Sequence, residues 1–167
     1  MKIDENRYMK LWQFLNYEVY LLDTFRFEEW LSNISEKISY VMARRIVNEN
    51  KGFDYDVNSP LMRENYSSLK ARIQRLKSVY AWGEIPNSRY IHVLGWVNME
   101  LDENTKDIFA YSSVMFVRNR EDSYENEIMT YQRRDRIIQI DEKMKLINRL
   151  IIPDQPVIGL STLSNLF

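Results

Sequence analysis

Few residue types in this chain can do chemistry. Among 167 residues there is a single histidine, His92, and no cysteine. The chain therefore cannot by itself ligate a histidine-bearing iron–sulfur cluster, a two-histidine iron centre or a typical zinc site. A thiol nucleophile and a disulfide framework are excluded with them. Gly52, Gly83, Gly95 and Gly159 are too few and too scattered for a phosphate-cradling loop or a dinucleotide fingerprint. For acid–base work the chain offers His92, the side-chain type that titrates nearest neutrality. It also offers Asp23, at a helix junction among aromatic residues, where a desolvated carboxylate serves as a general base. Each has a plainer reading: Asp23 as the cap of the following helix, His92 as a packed or interface residue. Arg44-Arg45 and Arg133-Arg134 fall inside strand-like stretches, so the members of each pair point to opposite faces. They read as structural or interface ion pairs.

The elements that must position these residues follow from periodicity. Tyr8, Trp12, Leu15, Val19 and Leu22 recur at helical spacing behind Asp4, which serves as N-cap. Phe27, Trp30, Leu31 and Ile34 make a second, shorter stripe that Asp23 or Thr24 caps. Ile38 to Val47 reads as a strand, and the polar stretch from Asn48 to Pro60 as a long loop. Leu69, Ile73, Leu76 and Tyr80 form a third helical stripe, which Trp82, Gly83 and Pro86 break. From Tyr90 onward, Ile91, Val93, Val97, Met99 and Leu101 alternate as the helix-facing side of a strand. Tyr90, His92, Leu94 and Trp96 are then left on the opposite face. Ile108 to Val117, Glu127 to Ile140 and Lys143 to Ile152 follow, with polar turns at Asp102 to Lys106, Asn119 to Ser123 and Asp141-Glu142. Such short turns imply an antiparallel meander. The tail, with Val157, Ile158, Leu160, Leu163, Leu166 and Phe167, is too apolar to stay in water.

The expected class is α+β, a cone-like fold with N-terminal helices packed on a curved, mainly antiparallel sheet, in one domain over residues 1–167. Both faces of the late strands are apolar. Ile108, Ala110, Val114 and Phe116 point one way, while Phe109, Tyr111, Met115 and Val117 point the other. Helices cover one face of such a sheet, so the second calls for another layer, a closed barrel or a partner subunit, and with all three helices N-terminal to these strands the partner is the favoured expectation.

Charge narrows the partners. The 24 acidic and 23 basic residues are interspersed, so no single-sign field invites nucleic acid or an anionic membrane. No apolar run approaches the roughly 20 residues that span a bilayer. The start, with Asp4 and Glu5 just after Lys2, lacks the basic-then-apolar layout of a secretory signal, so the expected location is cytoplasmic.

Particular words along the chain carry a family likeness. They are Glu18-Val19-Tyr20-Leu21-Leu22-Asp23, Phe27-Glu28-Glu29-Trp30-Leu31, Tyr66 to Leu76, Ala81-Trp82-Gly83-Glu84 and Pro86-Asn87-Ser88-Arg89, then Tyr131 to Arg136, Ile152-Pro153-Asp154-Gln155 and Leu163 to Phe167. In this order the sequence resembles the small (beta) subunit of bacterial aromatic-ring-hydroxylating dioxygenases, within the nuclear-transport-factor-2-like, cystatin-like superfamily. The resemblance implies a non-catalytic assembly subunit in aromatic compound catabolism, self-associating as a trimer with three large (alpha) subunits in an alpha3beta3 hexamer. It places the Rieske [2Fe-2S] cluster and the mononuclear iron in the large subunit and assigns no cofactor, metal ligand or catalytic residue to this chain. A rival reading comes from the same fold. Small cone-fold isomerases, dehydratases and hydrolases place an acid or base between helices and sheet, and Asp23, Tyr40 and His92 are the candidates for that role.

Overall fold

The computed structural model of the chain describes residues 3–49, 52–77, 88–120, 124–140 and 143–167. The expected helix break at Trp82, Gly83 and Pro86, Tyr80 of the third stripe, and turn residues 121–123 and 141–142 lie outside the described residues.

Helix α1 runs Glu5–Asp23 and starts as its sequence requires. Asp4 is extended, and its side chain accepts from the Arg7 N–H at 2.9 Å, while Glu5 places a negative charge on the positive end of the helix dipole. At the other end the Thr24 hydroxyl donates to the Tyr20 carbonyl at 2.6 Å. Phe25 then takes a φ of 59°, a left-handed conformation more often given to glycine, and turns the chain into α2 (Phe27–Ser32). Its ring packs edge-on to Tyr90 and Phe27, which holds it there. The cap expected at Asp23 or Thr24 is not formed: the N-cap of α2 is Arg26, whose side chain makes no capping hydrogen bond, and Ile34 already belongs to the first strand.

The stretch expected as one strand is divided into β1 (Ile34–Met42) and β2 (Arg44–Asn48). The expected loop instead contains β3 (Gly52–Asp56), which pairs antiparallel with β2 as a separate hairpin, and β4 (Met62–Glu64) follows it. Gly52, with φ 72°, supplies the positive φ at the start of β3. Helix α3 (Tyr66–Lys77) then leads to the meander of β5 (Arg89–Leu101), β6 (Ile108–Asn119), β7 (Asn126–Ile140) and β8 (Lys143–Pro153).

The main sheet has six strands in the order β4-β1-β8-β7-β6-β5. Every neighbouring pair is antiparallel except β1 and β8, which run parallel. Helix α1 lies against β5 and α3 against β1, so one face of the sheet is covered. Leu11, Leu15, Leu21 and Leu22 of α1, Trp30 of α2, Leu69 and Ile73 of α3 and the inward residues Ile108, Ala110, Val114 and Phe116 of β6 share one apolar core.

The face assignment along β5 requires correction. Pairing of β5 with β6 is interrupted between Leu94 and Val97, where a bulge places Gly95 and Trp96 out of step. Before the bulge, His92 is buried at 4 % exposure and Tyr90 and Leu94 pack on the core, whereas Ile91 and Val93 are 52 % and 43 % exposed. After it, Val97, Met99 and Leu101 face the core. Trp96 stands outside, as expected, at 55 % exposure. The strict alternation read from the sequence thus holds only for the second half of the strand, because one extra residue reverses side-chain parity.

Candidate functional site

Asp23 closes α1 and His92 lies midway along β5, and the packing of helix on strand brings them together. The Asp23 carboxylate accepts from the His92 backbone N–H at 3.0 and 3.1 Å, and its Oδ1 lies 2.6 Å from the imidazole Nδ1. The other ring nitrogen, Nε2, is 3.2 Å from the Leu166 carbonyl oxygen. Each ring nitrogen therefore faces an oxygen acceptor, and neither is left for a substrate. His92 faces the interior rather than the uncovered side of the sheet, contrary to the expectation from strand parity.

Behind this pair lies a cluster of four buried charges that the sequence reading did not single out as a unit. Glu18 projects from α1, Arg133 and Asp135 from β7 and Arg149 from β8, and all four side chains are withdrawn from solvent. Arg149 makes a two-pronged contact with Asp135, Nε to Oδ1 at 2.8 Å and Nη2 to Oδ2 at 2.7 Å. Both of its terminal nitrogens also donate to Glu18, Nη2 at 2.9 Å. Glu18 further accepts from Arg133 Nη1 at 3.1 Å and from the Trp30 indole N–H at 3.0 Å. Burial alone would push the Glu18 pKa up, but the Arg149 and Arg133 charges and the hydrogen bonds from Arg149 and Trp30 outweigh it and hold the carboxyl at about 2. Burial likewise works against the charge on Arg149, yet Asp135 and Glu18 hold its pKa well above the usual value. With two cations and two anions the cluster is neutral, the condition under which buried charges persist.

Tyr40, on β1, stands beside this cluster rather than beside Asp23 and His92. Its ring centroid is 5.9 Å from the Arg149 guanidinium carbon. Its hydroxyl donates to the Phe167 main-chain oxygen and accepts from the Phe167 N–H at 2.7 Å. Burial pushes the hydroxyl pKa up to about 12, with Arg149 pulling the other way, so Tyr40 keeps its proton at neutral pH and serves as a donor rather than a base. Leu166 and Phe167 themselves fill the space between these groups. Of the three candidates, Asp23 and His92 meet directly, and Tyr40 joins them only through the Leu166–Phe167 segment.

Glu18 was legible in one respect. It falls three residues after Leu15 and four before Leu22, a carboxylate within the buried stripe of α1. A charge at such a position needs a buried partner.

The uncovered face is apolar across three strands. The pairing puts Ile91, Val117 and Ile128 in one row and Val93, Met115 and Thr130 in the next. Trp96 stands beyond them at the bulge. Farther along, Phe109, Tyr111, Arg134, Arg136, Asn148 and Leu150 line an open depression of about 400 Å³. Arg134 and Arg133 point to opposite faces, as expected of a strand pair: Arg133 is buried, and Arg134 donates to the Tyr55 hydroxyl of the β2–β3 hairpin at 3.0 Å. Among the described residues no group of three or more His, Asp or Glu side chains is placed to hold a metal ion. No helix among them is long and apolar enough to cross a membrane.

Comparison with known proteins gives this geometry a context. The family model described as ring hydroxylating beta subunit matches residues 17–159. Among solved structures, a chain of a naphthalene 1,2-dioxygenase determined with indole bound in its active site superposes with a TM-score of 0.87. It shares 21 % identity over 98 % of this chain and 87 % of its own. The beta subunit of the benzoate 1,2-dioxygenase from Burkholderia mallei gives 0.66 at 16 % identity over 99 % of both chains. A protein from Novosphingobium aromaticivorans assigned as a scytalone dehydratase gives 0.65 at 13 % identity, over 87 % of this chain and 82 % of its own. The shared architecture is the nuclear-transport-factor-2-like cone, in which helices cover one side of the sheet.

Proposed function

Because the chain belongs to the ring-hydroxylating beta-subunit family, we propose that it is the non-catalytic assembly subunit of a multicomponent Rieske-type aromatic-ring-hydroxylating dioxygenase. In this reading one nuclear-transport-factor-2-like domain self-associates as a trimer and supports three large subunits in an alpha3beta3 hexamer. The enzyme acts in the cytoplasm in the breakdown of aromatic compounds.

The observation that carries the reading is the apolar outer face of the sheet, where Ile91, Val93, Trp96, Met115 and Ile128 are all exposed. A contiguous apolar surface of this kind on a helix-backed sheet is characteristic of a surface that a partner covers. The Rieske [2Fe-2S] cluster and the mononuclear iron belong to the large subunit in this proposal. The residues of this chain do not fit either centre, since it has no cysteine and both ring nitrogens of its one histidine are engaged. Co-expression with a large subunit carrying Rieske-type cysteine and histidine motifs, followed by affinity purification on this chain, is the direct test. Retention of the large subunit in equimolar amount is the expected result. Loss of the large subunit under conditions where both chains are folded would refute the assignment.

The hydrogen-bonded Asp23 and His92 favour one second reading, a stand-alone cone-fold isomerase, dehydratase or hydrolase with its acid or base between helices and sheet. Turnover of a hydroxylated aromatic substrate by the purified chain, abolished in Asp23→Asn, would establish it.

A further inference from the structure

Two residues of irregular chain, Leu166 and Phe167, are held in the interior by side chains from five strands. His92 of β5 meets the Leu166 carbonyl. Tyr40 of β1 takes both the N–H and the main-chain oxygen of Phe167, and Arg149 of β8 donates to the same oxygen at 3.0 Å. The Phe167 ring, fully buried, meets Phe116 and Tyr131 edge-on, with centroids 5.1 and 6.0 Å away. This is how a protein holds a ligand. A few aimed polar side chains grip one end, and aromatic edges surround the other. Two further polar groups in the same interior have no hydrogen-bond partner among the described residues, Nη2 of Arg133 and the hydroxyl of Tyr131, and both residues are fully withdrawn from solvent.

We propose that Phe167 occupies a built binding site for a monocyclic aromatic compound bearing an acceptor oxygen on a short tether, and that the segment after β8 closes this site by standing in for the ligand. The ring fits between Phe116 and Tyr131, and the acceptor oxygen fits between Tyr40 and Arg149. In Phe167 the ring is joined to that oxygen through Cβ, Cα and the carbonyl carbon. The corresponding free compounds are 3-phenylpropionamide and 3-phenylpropionate. The neutral amide adds no charge to a cluster that is already balanced, whereas the acid adds one beside the Arg149 guanidinium, so comparing the two decides whether the site takes the charged form. The closing strap is the coil after β8, held from outside by Arg72 on the Leu163 carbonyl at 2.6 Å and by Arg118 on the Thr162 hydroxyl at 3.1 Å. Ligand and strap compete for the same space, and the proposal stands apart from the subunit assignment.

The test uses the full chain as wild type, Phe167→Ala and Phe167→Leu. Thermal unfolding by circular dichroism is recorded against rising 3-phenylpropionamide, 3-phenylpropionate and toluene. In Phe167→Ala, one of the two oxygen-bearing compounds should raise the midpoint in a saturable way, and wild type should show no shift. Toluene, which offers no oxygen to Tyr40 or Arg149, should bind at least about tenfold more weakly, tenfold being the factor for losing a single hydrogen bond. Adding Tyr40→Phe to Phe167→Ala should reduce that preference, with Arg149 still donating to the oxygen. If Phe167→Ala is unfolded alone, the ligand should restore the folded spectrum, and Phe167→Leu supplies a folded background for the same titration. Equal shifts in wild type and variants, equal action of toluene, or no shift and no restored folding in either variant would overturn the proposal.

Discussion

At the scale of single residues the buried charges decide most. Glu18 accepts from two arginines and an indole in a place water does not reach, so its removal strands Arg133 and Arg149 beside a single carboxylate, Asp135. Glu18→Ala should destabilise the chain by about 3–5 kcal/mol, the cost of leaving a buried charge without its partner. Equilibrium denaturation in urea measures it, and a loss within about 0.5 kcal/mol, the ordinary range of a surface change, would contradict the buried cluster. The same residue sets an acid limit. Its folded pKa of about 2 lies below the ordinary carboxyl value of 4.5, so its contribution is fully present above that higher value and is lost as pH falls through the lower one. The unfolding midpoint of the wild type should therefore drop between pH 4.5 and 2. In Glu18→Gln the same descent should be shallower. The approach of Asp23 to His92 spans 69 positions in sequence. Nothing local announces it, so the sequence favours the plainer reading of Asp23 as a helix cap, and only the packing of α1 on β5 brings the carboxylate to His92 instead.

At the scale of elements, the helical stripes, the late meander and the apolar second face were all legible, because each follows from a period that local sterics enforce. Leu15, at the centre of the α1 stripe and fully buried, should cost roughly 2–5 kcal/mol when truncated to alanine. What misled was β5. A bulge changes parity without changing composition, and the run Ile91, Val93, Val97, Met99, Leu101 looks continuous unless Gly95 is taken as the break. The structure shows why glycine stands there: a Cβ would come 2.4 Å from the Ser113 Oγ, which accepts the Trp96 N–H at 3.2 Å. The two halves of the strand make opposite predictions. Ile91→Asp, on the outer face, should leave the circular dichroism spectrum and the unfolding midpoint nearly unchanged. Leu94→Asp, three residues on and packed against the core, should unfold the chain. If the two outcomes are reversed, the bulge is misplaced. The β2–β3 hairpin was unreadable for a different reason. Its strands carry Arg44, Arg45, Asp54 and Asp56, so they pair through the backbone without an apolar alternation to betray them.

At the scale of the whole molecule, the covered face of the sheet carries the core, and the uncovered face is the one the proposed subunit role assigns to partners. Trp96 lies on the second, beside Val97 on the first. Trp96→Asp should give a folded chain that assembles into smaller particles, whereas Val97→Asp should fail to fold, because a charge without a partner is tolerated only where water reaches it. Size-exclusion chromatography with light scattering, read with circular dichroism, separates the two. A Trp96→Asp variant of unchanged assembly size would remove the outer face as the subunit contact.

The parallel pairing of β1 with β8 sets the order of events during synthesis. In the finished sheet β1 lies between β4 and β8, so the first strand of the chain must wait for the last before its second edge is closed. Helices α1 and α2 emerge early with Leu11, Leu15, Trp30 and the Glu18 carboxylate in search of strands not yet made. Glu18 in particular finds Arg133 and Arg149 only when more than a hundred further residues have followed, as the separations of 115 and 131 positions require. Such long-range closure is entropically slow and leaves apolar surface and an open strand edge exposed on the nascent chain. The folding time of this protein, and its demand on chaperones at the ribosome, should therefore be governed by the arrival of β8.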